Sequence, residues 1–257
     1  MKKDNWQEKL NIFLADFEHS SDVIGVLACG SYITGAPNSH SDLDVHVILS
    51  NAVDYRQRGN RIIDGLLIEY FANPPQQIQK YFADDLAEKS LMSQVQFATG
   101  QIITDLHGEV KVLKETALSM ISSFYAEEKT ASMSEMAKYF LWDMRDDLQC
   151  AYETNRPDFN FLYFNLLDKM ISFYMDAINR PYTTKAIHGN ICDEVVRRKY
   201  LLKELPDTAI STLITECIEA TEKAHKITLF QNLTEAILQK FGGFNVDGYK
   251  LHSSLDI

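Results

Sequence analysis

Apolar residues in the first half of the chain alternate between helical and strand-like spacing. The apolar positions from Trp6 to Phe17 recur at helical intervals and predict an amphipathic helix at the start. Apolar runs then predict strands from Val23 to Cys29 and from Asp42 to Leu49. A further strand, or a hairpin turning near Asp64-Gly65, is predicted from Arg61 to Phe71. The first half therefore combines helices with a sheet.

The segments around these strands complete the first half of the chain. The pattern predicts a polar loop from Ser50 to Asn60, a helix from Gln76 to Ala98, a short strand and turn from Gly100 to Gly108, and a helix from Val110 to Tyr125. A charged linker from Glu127 to Thr130 follows. The boundary of a first domain is accordingly expected at residue 126.

Strand-like alternation is absent from the second half. Apolar positions at helical spacing predict helices from Met133 to Tyr152, from Phe159 to Ile178, from Val195 to Leu205 and from Ala209 to Phe241. The second of these is apolar nearly all round, and the last is expected to break near Lys226. The sequence thus predicts an α+β protein with a strand-containing domain over residues 1–126 and an all-α helical bundle over residues 127–257.

Composition and charge narrow the classes of partner. The hydrophobic share of 46% and the charged share of 24% are those of an ordinary globular protein. The formal net charge of −11 disfavours a nucleic-acid partner, because such binding relies on many basic contacts to phosphates. The lysines near the start are followed by no long apolar segment, and the four cysteines lack metal-ligand spacing. We expect a cytoplasmic protein with reduced cysteines and no membrane partner.

The candidate chemistry lies where the two central strands meet. Alternate residues of a strand share a face, so Asp42 and Asp44 project side by side while Leu43 and Val45 face the other way. Two carboxylates this close repel each other unless a divalent cation neutralises both. Carboxylate oxygens are ligands that Mg²⁺ prefers, so the pair predicts a metal site.

Two further features fit such a site. Gly30 lets the backbone approach a phosphate, and Ser31 offers a hydroxyl and an N–H group near a short helix that Gly35 ends. Glu69 lies in an otherwise apolar strand, where an ionised carboxylate needs a partner, and a metal is the simplest one. We therefore expect Glu69 to join Asp42 and Asp44.

These residues carry a family resemblance. Gly30-Ser31, a spacer of about ten residues ending at Ser41, and then Asp42-x-Asp44 resemble the signature of the DNA polymerase β-like nucleotidyltransferase superfamily. The resemblance covers roughly the first half and implies a small mixed sheet with helices on one side. The later helical bundle is similar in architecture, without a diagnostic motif, to aminoglycoside and lincosamide nucleotidyltransferases.

The resemblance implies a function and a set of roles. It implies transfer of a nucleoside monophosphate, namely AMP from ATP, to a hydroxyl of a small molecule such as an antibiotic. Pyrophosphate is released in this reaction. Two Mg²⁺ ions would be held by Asp42 and Asp44, and Glu69 would either bind the second ion or act as the general base. Gly30 and Ser31, together with Ser41, would contact the nucleotide. Lys185, after the apolar helix, is a further candidate for binding a phosphate.

Several alternatives remain open at this stage. The acceptor could instead be a protein side chain, or the chain could be a nucleotide-binding regulator without turnover. His46 shares the strand face of the aspartates and is either a wall of the cleft or a contact to the substrate. Asp143, Asp146 and Asp147 form either a solvated helix face or a site for a polycationic aminoglycoside. A homodimer is compatible with the sequence.

Overall fold

The computed structural model describes residues 5–35, 37–126, 131–182 and 187–252. The described residues divide into two compact units. The first comprises residues 5–126 with residues 199–201, and the second comprises the remaining described residues from 131 onward.

A five-stranded mixed sheet lies at the centre of the described part of the first unit. Its strands, in chain order, are β1 (Val23–Cys29), β2 (Leu43–Leu49), β3 (Gln57–Ile63), β4 (Leu66–Asn73) and β5 (Gln101–Asp105). The spatial order is β3-β4-β2-β1-β5. Strands β2 and β4 run parallel, whereas the other neighbouring pairs are antiparallel. The central β1 and β2 are apolar and mostly buried, as strands covered on both faces are.

Helices cover both faces of the sheet. The bounds in this unit are α1 (Trp6–Ala15), α2 (Ser31–Thr34), α3 (Pro75–Ala87), α4 (Met92–Thr99) and α5 (Glu109–Ala126). Phe13 of α1 packs in one core cluster with Val45 and Val47 of β2. Phe82 of α3 and Phe97 of α4 belong to the cluster on the other face, with Ile48 and Leu113. The fold is therefore α+β, as the sequence predicts.

Helices on both faces of the sheet correct the implied arrangement with helices on one side, and two predicted elements of the first unit also need correction. The polar loop expected up to Asn60 is wrong, because β3 begins at Gln57 and pairs along β4. The single helix expected from Gln76 to Ala98 is two helices. The chain leaves α3 with Lys89 in the left-handed region, and Ser90 N–H bonds back to the carbonyl of Asp85, which is a helix-ending motif. Neither Gly nor Pro marks this break in the sequence.

A partly buried lysine connects α5 to the end of α4. Lys114 Nζ donates hydrogen bonds to the carbonyls of Ala98 at 2.8 Å and Gly100 at 2.6 Å, and it lies 3.5 Å from the carbonyl of Phe97. Helix α4 ends here, so no following helical turn supplies N–H donors to these carbonyls. Burial lowers the pKa of Lys114, but the ammonium supplies their hydrogen bonds.

We expect Lys114→Met to destabilise the protein by about 1–3 kcal/mol, since it leaves buried carbonyls without donors. Urea denaturation followed by circular dichroism measures the change. Lys111→Met is the matched control, because Lys111 lies on the same helix with its side chain exposed and 3.9 Å from Glu115. Equal stability of the two variants would contradict this account.

The second unit is helical throughout its described part. Its helices are α6 (Glu135–Glu153), α7 (Phe159–Ala177), α8 (Ile187–Cys192), α9 (Glu194–Lys199), α10 (Thr208–Glu219) and α11 (Lys223–Lys240). The core lies around α7, where Tyr163 is fully buried and its hydroxyl donates to the carbonyl of Cys217 at 2.8 Å. Each long helix contributes one apolar stripe to this core.

The helix boundaries of this unit also differ from prediction. The helix expected over Val195 to Leu205 ends at Lys199, because Leu201 is left-handed and Leu202 N–H bonds to the carbonyl of Arg197. The break expected near Lys226 falls earlier, at an extended Ala220. Lys226 lies inside α11, where Nζ donates to Asn160 Oδ1 at 2.8 Å.

Helix α7 confirms the helix predicted from Phe159 to Ile178. Its side chains are more exposed than its apolar composition suggests. Phe161 is 73% exposed and Phe164 is 47% exposed. Among the described residues, none of the helices combines the length and the apolarity needed to cross a bilayer.

Candidate active site

The turn after β1 brings its backbone against an acidic side chain. Gly30 has φ +76° and ψ −159°, a conformation that is almost exclusive to glycine. A Cβ at this position would lie 2.1 Å from Asp44 Oδ2, so the carboxylate occupies the space that a side chain would fill. The carbonyl of Gly30 accepts a hydrogen bond from Thr34 Oγ1 at 2.9 Å, which fixes the turn.

The structure brings together the three carboxylates that the sequence singles out. Asp42 directly precedes β2, Asp44 is its second residue, and Glu69 lies opposite Asp44 on the parallel neighbour β4. One ligand oxygen from each of the three lies within 4.8 Å of the others, and all three side chains are partly buried. This spacing allows all three to reach one cation.

Electrostatics at the cluster are unfavourable without a cation. Burial, and then the charges of Asp42 and Glu69, raise the pKa of Asp44 to about 6. The donor set consists only of carboxylate oxygens, which matches the hard cation Mg²⁺ and not a thiolate- or imidazole-preferring metal. The residues present therefore fit a magnesium site.

Glu69 has a partner that sequence reasoning missed. Arg58 donates to Glu69 Oε1 from Nη2 at 2.6 Å and from Nε at 3.2 Å. A metal is therefore not the only group that compensates Glu69, contrary to the simplest expectation. A signal was present in the sequence: a two-residue Asp64-Gly65 turn fixes the hairpin register and places Arg58 opposite Phe71, beside Glu69.

The other candidates are arranged differently. Ser41 Oγ accepts a hydrogen bond from the backbone N–H of Asn38 at 2.9 Å, so this hydroxyl stabilises the loop before Asp42. Ser31 directly follows Gly30 and begins α2, and within the described residues its hydroxyl makes no hydrogen bond. Lys185 lies outside the described residues, so its predicted role stays a prediction.

The side chain of His46 is buried in the wall of the cleft and carries no charge. It is 7% exposed, Nε2 lies 3.3 Å from Gln96 Oε1, and Nδ1 has no hydrogen-bond partner in the described chain. Burial lowers the pKa of His46 to about 4, an effect that the Gln96 hydrogen bond only partly offsets. The ring is therefore neutral at physiological pH, with an N–H group directed to Gln96.

The acidic stretch of α6 belongs to the second unit. Asp146 and Asp147 are exposed, and Asp143 is partly buried. Arg145 beside them lies 3.9 Å from Glu235. This arrangement is that of a solvated helix face, with Arg145 facing an acid of α11 and not a neighbour on its own helix.

Comparisons with known proteins give little further information. No family model matches the chain, and no curated protein sequence matches it. Among solved structures, a nucleotidyltransferase-like protein from Exiguobacterium sibiricum 255-15 is similar over 92% of this chain and 75% of that chain. The identity is 11% and the TM-score is 0.44, a likeness too distant to assign a function.

Proposed function

We propose that the chain is a Mg²⁺-dependent nucleotidyltransferase that transfers AMP from ATP to a hydroxyl of a small molecule. The observation that supports this most strongly is the cluster of Asp42, Asp44 and Glu69 on neighbouring strands, beside the Gly30-Ser31 turn. Three carboxylates within 4.8 Å suit a polyphosphate–magnesium substrate, since a cation is needed between these like charges.

The residues of the cluster would hold Mg²⁺ through their carboxylate oxygens. When bound, the metal lowers the negative charge at the reacting phosphate and orients the attacking and leaving oxygens. Gly30 and Ser31 would contact the β- and γ-phosphates, because glycine has no side chain of its own to keep a phosphate from the backbone of the turn.

The reaction is an in-line displacement at the α-phosphorus. The acceptor oxygen forms a bond to the α-phosphorus, the bond from that phosphorus to the α,β-bridging oxygen breaks, and pyrophosphate leaves with the bond's electron pair. The hydroxyl proton goes to Glu69 or to solvent. In the first case Glu69 is the general base, and the two hydrogen bonds from Arg58 orient its carboxylate.

Transfer of isotope from differently labelled ATP tests the proposal. The protein is incubated with Mg²⁺, with a panel of hydroxyl compounds that begins with aminoglycosides and lincosamides, and with whole lysate. We expect label from the α-phosphate, and not from the γ-phosphate, in a low-molecular-weight product. Label in a protein band would assign a protein acceptor. Transfer of the γ-label, or of neither label with any of the four nucleoside triphosphates, would overturn the proposal.

A further inference from the structure

A cavity of about 490 Å³ lies on the same sheet face as the carboxylate cluster. Its volume is in the range of small-molecule sites. Strands β2, β3 and β4 and helices α3 and α4 all contribute to its lining. The side chains used in the argument below are His46, Arg56, Arg58, Phe71, Asp85 and Met92.

The sheet register places the cavity next to the carboxylate cluster. Asp44 is paired with Glu69, and two residues further along the same strands His46 is paired with Phe71. Residues two apart on a strand share a face. The cavity therefore begins one residue pair beyond the cluster.

The cavity and the phosphate turn lie on opposite sides of Asp44. Gly30 follows β1, which flanks β2 on one side, whereas Glu69 and Phe71 belong to β4 on the other side. In an in-line displacement the attacking and leaving oxygens are also on opposite sides of the phosphorus. With the leaving pyrophosphate at Gly30, the cavity is on the side from which the acceptor attacks.

Two neighbouring rings, those of His46 and Phe71, form part of the lining of the cavity. The rings of His46 and Phe71 lie 5.3 Å apart with an interplanar angle of 25°. The guanidinium of Arg58, a residue of β3, lies 4.8 Å from the centre of the Phe71 ring and packs against that ring. Such surfaces favour a planar ring as ligand.

The charge of the lining disfavours a polycation. Arg56 and Arg58 are basic, with Arg58 already paired to Glu69, whereas Asp85 is the acidic member. Asp85 Oδ2 already accepts hydrogen bonds from the N–H group of Ser93 at 2.7 Å and from its hydroxyl at 2.6 Å. The net charge of this lining therefore suits an uncharged or anionic ligand.

We propose that this cavity binds a planar aromatic ring of the acceptor, uncharged or anionic, and so places the acceptor hydroxyl beside Glu69. The assignment of the ring to the acceptor depends on the proposed nucleotidyl transfer, whereas binding of the ring depends only on the cavity. An aminoglycoside, as a polycation without an aromatic ring, is a poor fit.

Methyl NMR of Met92 tests the proposal without metal or nucleotide. Met92 lines the cavity and is 53% exposed, so its labelled ε-methyl group reports a ring current from a bound ligand. The probes are 4-hydroxybenzoate, 7-hydroxycoumarin and, as the polycation, spermidine. We expect saturable shifts of the Met92 signal with at least one of the two aromatic probes and none with spermidine. Met92→Leu assigns the signal.

Two variants tie the shift to the cavity. Phe71→Leu should weaken binding of the aromatic probe by roughly three- to ten-fold. Ile62→Ala, at a 72% exposed position of β3 outside the lining, should leave it unchanged. Saturable binding of spermidine in place of the aromatic probes, no saturable shift with any probe, or equal binding by Phe71→Leu would overturn the proposal.

A competition experiment separates the acceptor from the nucleobase. Addition of α,β-methylene-ATP with Mg²⁺, which binds without transfer, should leave the aromatic probe in place. Displacement of the probe would assign the cavity to the base of the nucleotide and overturn the acceptor assignment. If this nucleotide does not bind at all, the proposed nucleotidyl transfer fails, while the Met92 shifts still decide whether the cavity binds aromatic rings.

Discussion

Gly30→Ala is expected to destabilise the protein and to weaken metal-dependent nucleotide binding. The backbone of Gly30 lies in a region that costs a residue with a side chain on the order of 1–3 kcal/mol. In addition, the new Cβ would lie 2.1 Å from Asp44 Oδ2, so the carboxylate has to move away from Asp42 and Glu69. We expect a lower thermal midpoint and a loss of at least ten-fold in affinity for MgATP, measured by thermal denaturation and calorimetry.

Gly35→Ala separates backbone strain from displacement of the carboxylate. Gly35 also has positive φ, at +92°, but nothing lies within 4 Å of the position of its Cβ. This variant should lose stability and retain affinity for MgATP. If Gly30→Ala binds MgATP as the wild type does, then the contact between the turn and Asp44 is not required for the site.

Asp44→Asn is expected to stabilise the metal-free protein while it removes the response to Mg²⁺. The pKa of Asp44 is raised to about 6 by burial and by its acidic neighbours, from an ordinary value of 3.8. The folded state therefore binds this proton more tightly than the unfolded state, and the stability falls as pH rises through the interval between those values. Asparagine does not titrate, so the substitution removes this dependence of stability on pH. It also removes the negative charge that Asp44 offers to a metal ion.

Denaturation in the presence of EDTA at pH 8 and pH 4 measures this effect. Allowing for solvent screening of a partly exposed group, we expect Asp44→Asn to gain roughly 1–2 kcal/mol at pH 8 and little at pH 4. Mg²⁺ should raise the thermal midpoint of the wild type but not of this variant. Asp54→Asn, at an exposed acid of the same unit, is the control. A variant less stable than the wild type at pH 8 would indicate that Asp44 is a structural residue.

The acid cluster was predictable because its determinants are local in sequence. Alternation along one strand places Asp42 and Asp44 together, and a charged residue in an apolar strand identifies Glu69. Arg58 was missed because β3 is rich in polar residues and was interpreted as loop. The hairpin register, and not the composition of the strand, determines its contact with Glu69.

The cavity could not be predicted in the same way. It depends on how α3 and α4 pack over β4, and the break between these helices has no Gly or Pro to mark it. His46 shows the same limit. Strand alternation places its side chain on the face of the acids, but its neutral state results from burial and from Gln96, fifty residues away in sequence.

Titration calorimetry of ATP in the presence of Mg²⁺ tests the central claim most directly. It compares the wild type with the double variant Asp42→Ala/Asp44→Ala, and circular dichroism establishes that the variant is folded. We predict binding that requires Mg²⁺ in the wild type and is lost in the double variant. Equal binding by the two proteins, or no binding of any of the four nucleoside triphosphates by the wild type with Mg²⁺ present, would contradict a nucleotide site at these carboxylates.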